Sequence, residues 1–121
     1  MKSLILASLL FLSGCTLWTA FNTAPYDSNE YNLVTKVRVL ANGGCDKDNL
    51  KSIYITSQQL KFFSQYLPYN DRTISMTNNL FNITEGLYKK ENPSEIYCKS
   101  KLDLISKSSE EIQQVIGTRP R

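Results

Sequence analysis

Four stretches of this chain carry apolar residues at helical spacing, and each is bounded by residues that start or stop helices. In the first, Asp27-Ser28-Asn29-Glu30 forms a capping-box pattern. Tyr31, Val34, Val37 and Leu40 then recur at three-residue steps before Asn42-Gly43-Gly44 closes the segment. Val37-Arg38-Val39 also fits a short strand. The second stretch opens near Asp46 to Asp48, places Leu50, Ile53, Leu60, Phe63 and Leu67 on one side, and stops at Pro68, although Ile53 to Thr56 is β-prone. The third follows Asn70-Asp71, carries Ile74, Leu80, Ile83 and Leu87, and ends before Asn92-Pro93. Gly86 and several asparagines make it the least regular of the four. In the fourth, Asn92-Pro93-Ser94-Glu95 supplies a capping asparagine, a proline at the first helical position and an early glutamate. Cys98, Leu102, Ile105, Ser109, Ile112 and Ile116 follow in alternating steps of four and three, an amphipathic heptad stripe that Gly117 and Pro120 terminate. Such a stripe packs either in the core of a bundle or against a partner helix, which makes Leu102, Ile105, Ile112 and Ile116 candidate partner-binding residues.

A fifth apolar run, Leu4 to Leu12, has a different character. Lys2 precedes it, and it is too short to span a hydrocarbon core of ~30 Å, so it reads as the apolar part of a cleaved signal peptide. It closes on Leu12-Ser13-Gly14-Cys15, which resembles the lipobox of bacterial lipoproteins. The resemblance implies that the Cys15 thiol receives a diacylglycerol, that the chain is cut between Gly14 and Cys15, and that the new amino terminus is acylated by a group such as palmitate. Several acyl chains, at ~0.8 kcal/mol per buried methylene, hold a protein stably on a bilayer. Thr16 stands where inner-membrane lipoproteins of Gram-negative bacteria usually carry aspartate, so the implied address is the outer membrane, facing the periplasm. The expected organisation is then a signal peptide over 1–14, a lipidated amino terminus and linker over 15–27, and a periplasmic helical domain over 28–121. Trp18 and Phe21 in the linker suit the headgroup level or packing on the domain.

With Cys15 committed to lipid, Cys45 and Cys98 remain as an even pair in an oxidising compartment. Two cysteines without histidine make a poor metal site, so a disulfide is expected, within one chain or linking a homodimer. Short connections between consecutive helices favour an up-down-up-down bundle. In that arrangement the turn after the first helix lies at the same end as the start of the fourth, where Cys45 and Cys98 fall. The two readings rest on different residues and agree on a small all-α antiparallel bundle of about four helices with one disulfide.

Composition argues against most chemistry. Fourteen basic and eleven acidic side chains nearly balance, which does not call for nucleic acid. There is no histidine to serve as a general base near neutral pH, and no serine lies in a nucleophile motif. Gly43-Gly44 lacks any surrounding phosphate-binding pattern, Glu110-Glu111 diverge around a helix, and the sequon Asn82-Ile83-Thr84 falls in a predicted helix. Neither an enzyme nor a cofactor or metal is expected. The terminal Gly117-Thr118-Arg119-Pro120-Arg121 reads as a frayed basic tail or a contact for a partner.

A lipobox at Leu12 to Cys15, a compact periplasmic part and the stripe from Cys98 to Ile116 are together similar in format to the outer subunit of two-component phage spanins. That family is made of outer-membrane lipoproteins that bind an inner-membrane partner and help to fuse the two membranes during host cell lysis. The chain departs from it in having few prolines. A lipoprotein that blocks an outer-membrane receptor or conjugation apparatus against superinfection, and a structural envelope lipoprotein, share the same features. For all three, Cys15→Ser is expected to abolish acyl-lipid labelling and leave an uncleaved or soluble form, measured by metabolic labelling and membrane fractionation.

Overall fold

The computed structural model describes residues 24–121, so the signal segment, Cys15, Trp18 and Phe21 lie outside the described residues. Among the described residues the chain forms four helices and no strand: α1 Ser28–Ala41, α2 Lys47–Tyr66, α3 Asp71–Lys89 and α4 Glu95–Gly117. Each helix packs on its two neighbours around a square: α1 on α2 and α4, and α3 on α2 and α4. This is the up-down-up-down bundle that the short connections predict.

Local chemistry sets most of the boundaries. The Asp27 carboxylate accepts from the Glu30 backbone N–H at 2.9 Å and starts α1. Asp46 accepts from the Asn49 N–H at 3.1 Å and starts α2. The fourth helix departs from its expected start. Ser94, not Asn92, is the cap, its hydroxyl accepting from the Tyr97 N–H at 3.1 Å, and Pro93 lies before the helix. Asn92 instead adopts a left-handed backbone with φ 46°, which asparagine tolerates better than most residues and which turns the chain after α3. Gly43 is needed for close approach, since a Cβ there would sit 2.9 Å from the Asn49 amide nitrogen. That amide donates to Leu40 O at 3.0 Å and Gly44 O at 2.8 Å, tying down the turn between α1 and α2. The strand-prone Val37-Arg38-Val39 and Ile53 to Thr56 are helical, because tertiary burial of Val34, Val37, Leu50, Ile53 and Leu60 outweighs a propensity difference of a few tenths of a kcal/mol per residue.

The core is uneven in character. Between α1 and α4 it is aliphatic, built from Val34, Val37, Leu102, Ile105, Ile112 and Ile116. Between α2 and α3 it is rich in small hydroxyl residues, with Thr56, Ser57, Thr73, Thr77 and Thr84 all buried. The Ser57 and Thr84 hydroxyls lie 2.5 Å apart across the interface; one donates to the other, and the accepting hydroxyl donates its own hydrogen to the carbonyl three residues back in its helix, Tyr54 O at 2.9 Å or Phe81 O at 3.0 Å. Small side chains of this kind let α2 and α3 lie close together without leaving orphaned donors.

Cys45 and Cys98 form a disulfide within the one chain, their Cα atoms 6.2 Å apart, at the end of the bundle where α2 and α4 begin. The alternative of a disulfide-linked homodimer is thereby corrected, because each sulfur already has its partner. The domain boundary also moves. Ala24 is buried and donates its N–H to Tyr69 O at 3.2 Å, and Tyr26 donates to Pro120 O at 2.9 Å, so residues 24–27 belong to the folded unit and not to a linker.

The disulfide closes a loop with a sequence separation of 53, worth about 4 kcal/mol from denatured-state chain entropy. The double variant Cys45→Ser/Cys98→Ala is expected to lose stability of that order in urea denaturation. The wild type is expected to migrate as a compact monomer in non-reducing electrophoresis.

Candidate functional site

The bundle has two chemically distinct ends. The disulfide end carries a cluster of lysines. There a cleft of about 520 Å³ is lined by Cys45, Lys47, Leu50, Tyr88, Lys89 and Lys90 among others. Its cations are already engaged: Lys47 Nζ donates to Tyr88 O at 2.8 Å and lies 4.5 Å from the Tyr88 ring centroid, while Lys90 sits over Tyr97. Tyr88 in turn stacks on Tyr54, and Tyr54 on Phe81, along the outer groove between α2 and α3. On the first turn of α4, Lys99 hydrogen-bonds and attracts Glu95 at 2.9 Å, holding that carboxyl below its ordinary range. This pair is fully solvated, a surface i,i+4 contact of helix type.

The opposite end, where the chain enters the bundle, contains a buried polar cluster. Glu30 is completely buried on the first turn of α1. Its Oε1 accepts from Arg119 Nη1 at 2.6 Å, and its Oε2 accepts from Ser64 Oγ at 2.7 Å and Asn70 Nδ2 at 2.9 Å. Arg119 is only 8 % exposed, and its second nitrogen donates to Asn70 Oδ1 at 2.5 Å and to the Thr73 hydroxyl. Asn70 Nδ2 also donates to Ser64 O at 2.9 Å. One carboxylate thus gathers the start of α1, the end of α2, the start of α3 and the residue after the cap of α4. Both oxygens of Glu30 accept from donors within the fold, and the carboxylate ties these segments together.

Arg119 corrects the expectation of a frayed basic tail. The residue lies inside the domain because its guanidinium matches the only buried carboxylate among the described residues, and Arg119 N–H also donates to Ile116 O at 3.2 Å. Arg121 alone keeps an exposed cationic group in the tail, 4.4 Å from the Tyr26 ring. Glu30 likewise differs from its expected role. It stands at the capping-box position, but its side chain turns inward instead of back to the cap. A sequence signal for this exists: Glu30 lies in phase with Val34, Val37 and Ala41, the residues that α1 buries.

The candidate partner-binding residues are also inside. Leu102, Ile105, Ile112 and Ile116 are all buried with Ser109 between them, whose hydroxyl donates to Ile105 O at 2.7 Å. In the closed bundle the stripe faces α1 and α3 and lies in the core. Glu110 and Glu111 are solvent-exposed, and Asn82 of the sequon is exposed within α3. What the surface does expose is a set of large apolar side chains: Val39 on α1, Ile55, Phe62 and Tyr66 on α2, Tyr69 in the turn after it, and Ile96 and Leu104 on α4.

Among the described residues no group of three or more histidine, cysteine, aspartate or glutamate side chains is placed to hold a metal ion, and no helix is long and apolar enough to cross a membrane. No protein-family model, curated protein or solved structure matches the chain.

Removing one partner of a buried ion pair leaves the other uncompensated, at a cost of about 3–5 kcal/mol. Arg119→Ala is therefore expected to destabilise the domain by that amount in chemical denaturation. Arg121→Ala, two residues away on the surface, is expected to change stability by less than about 0.5 kcal/mol.

Proposed function

We propose that the chain is a lipid-anchored protein of the bacterial envelope that acts by binding another protein from the periplasmic face of the outer membrane. The observation that carries this reading is the apolar run from Leu4 to Leu12 ending in Leu12-Ser13-Gly14-Cys15, with Lys2 ahead of it. Cys15 is the lipidated residue. The disulfide between Cys45 and Cys98 accords with an oxidising compartment. Because the buried polar groups are used within the fold, recognition falls to the outer faces of the helices, and no catalytic residue is required.

Within this reading the chain serves as the outer subunit of a two-component spanin. Cys15 holds it to the outer membrane, the bundle binds a single-pass inner-membrane protein across the periplasm, and the joined complex helps to fuse the membranes during phage-induced lysis. The partner then meets exposed side chains, since the α4 stripe is internal. A second role is favoured by the closed state of the bundle together with the exposed Val39, Ile96 and Leu104 on the neighbouring helices α1 and α4. A rigid domain with apolar side chains on its outside suits a protein that caps a receptor or conjugation apparatus and so excludes superinfecting phage or plasmids.

Cross-linking in living cells, followed by purification from membranes with Cys15→Ser as control, separates the roles. A single-pass inner-membrane protein recovered only with the lipidated form is the outcome expected for the spanin. Recovery of an outer-membrane receptor or pilus component moves the role to exclusion. Recovery of the same proteins with Cys15→Ser at wild-type yield removes the requirement for the anchor.

A further inference from the structure

We infer that the end of the bundle bearing Phe62, Tyr66 and Tyr69 rests on the phospholipid surface that carries the anchor, with the aromatic side chains at headgroup level. This inference depends on lipidation at Cys15.

Three observations lead to it. The first is reach. Eight residues lie between Cys15 and Ala24, and the nine Cα-to-Cα steps span at most about 30 Å when fully extended. Ala24 is fixed to Tyr69 by its N–H, so the lipid can lie no farther than that from the turn between α2 and α3. The disulfide end lies another ~30 Å away along the 20 residues of α2.

The second observation is the kind of residue exposed there. Tyr66 is 87 % exposed, Tyr69 62 % and Phe62 48 %, and Phe62 lies one helical turn before Tyr66 on the same face of α2. Tyrosine concentrates at membrane interfaces because the ring is apolar and the hydroxyl stays wet. The ionic groups nearest the tip, Asp27, Asp71, Arg72 and Arg121, balance in sign, and Lys61, 5.7 Å from the Phe62 ring centroid, adds a single cation, so the aromatic rings are the main source of the attraction.

The third observation is the backbone of Tyr69. It sits in the left-handed region with φ 56°, where a non-glycine residue costs roughly 1–2 kcal/mol. Glycine would suit this turn better, and the tyrosine ring is not buried in return. An aromatic side chain held outward at a position that disfavours it has a use outside the fold.

The test uses the full lipidated protein, purified from membranes and reconstituted in phosphatidylethanolamine/phosphatidylglycerol vesicles with brominated acyl chains. Two reporters are made in a Trp18→Phe background: Tyr66→Trp, and Ile96→Trp at the disulfide end as a distant, equally exposed control. Both substitutions are on the surface and leave the core untouched. The expected result is fluorescence quenching roughly threefold stronger at position 66 than at 96, as an interfacial ring lies near the acyl boundary. Adding Tyr69→Gly and Phe62→Ser is expected to cut that quenching by about half or more while the thermal midpoint stays within a few degrees. Vesicle flotation of the same samples separates the failures. Protein that floats with equal quenching at both positions overturns the docking and leaves the anchor standing. Protein that does not float overturns the anchor and the docking together.

Discussion

The contact between Glu30 and Arg119 constrains everything else at one end of this bundle. A carboxylate fully removed from water is tolerable only when its charge and lone pairs are met, and here four elements must converge to meet them. The consequence is a fixed register. If α1 slid by one turn along α4, Glu30 would leave Arg119, Ser64 Oγ and Asn70 Nδ2 at the same time, and the guanidinium would stay beside Asn70 and Thr73 without its counter-charge. Aliphatic packing alone is more forgiving, since Val34 and Ile112 would still find apolar neighbours after a slip. The polar cluster therefore contributes specificity of arrangement at one end, as the Cys45–Cys98 bond does at the other.

Between these fixed ends the two halves of the bundle differ in how they cohere. The α1–α4 seam buries branched aliphatic side chains, each Å² of apolar surface removed from water contributing about 25 cal/mol. The α2–α3 seam has fewer such groups and relies on close approach across Ser57, Thr77 and Thr84, with the stacked Tyr54, Phe81 and Tyr88 sealing its outside. The covalent bond and the buried ion pair both bind α1 or its flanks to α4 or its flanks. The α2–α3 hairpin is held mainly by side-chain packing and by the hydrogen bonds of Ser64, Asn70 and Thr73.

The parts of the fold that were legible in the sequence are those written in apolar spacing. The alternating steps from Cys98 to Ile116 identify the buried face of α4 residue by residue. The disulfide followed from combining that spacing with a parity of cysteines. The third helix was less legible because its buried face is Thr73, Thr77, Leu80, Phe81, Thr84 and Leu87, half of it hydroxyl residues that a hydropathy pattern does not register. Ile74 and Ile83, which the pattern favours, are only half-buried. The polar cluster was hidden for a further reason. Its members lie as far as 89 positions apart, and charge complementarity over such a separation has no local signature. Glu30 in phase with Val34 and Val37 was the one trace of it. Surface recognition leaves no periodic mark, so the pattern of apolar positions that reveals the core says nothing about the outer faces of the helices.

The separation of Glu30 from Arg119 also bears on the order in which the domain forms. A chain delivered from its amino terminus presents Glu30 when α4 does not yet exist. Until Arg119 follows, sinking that carboxylate among Ser64 and Asn70 is unfavourable, and it stays hydrated. The first three helices are thus kept from settling into a closed, compact form on their own. The arrival of α4 brings the aliphatic seam, the thiol of Cys98 and the guanidinium in one piece, so a closed bundle with Glu30 buried requires the whole domain to be present.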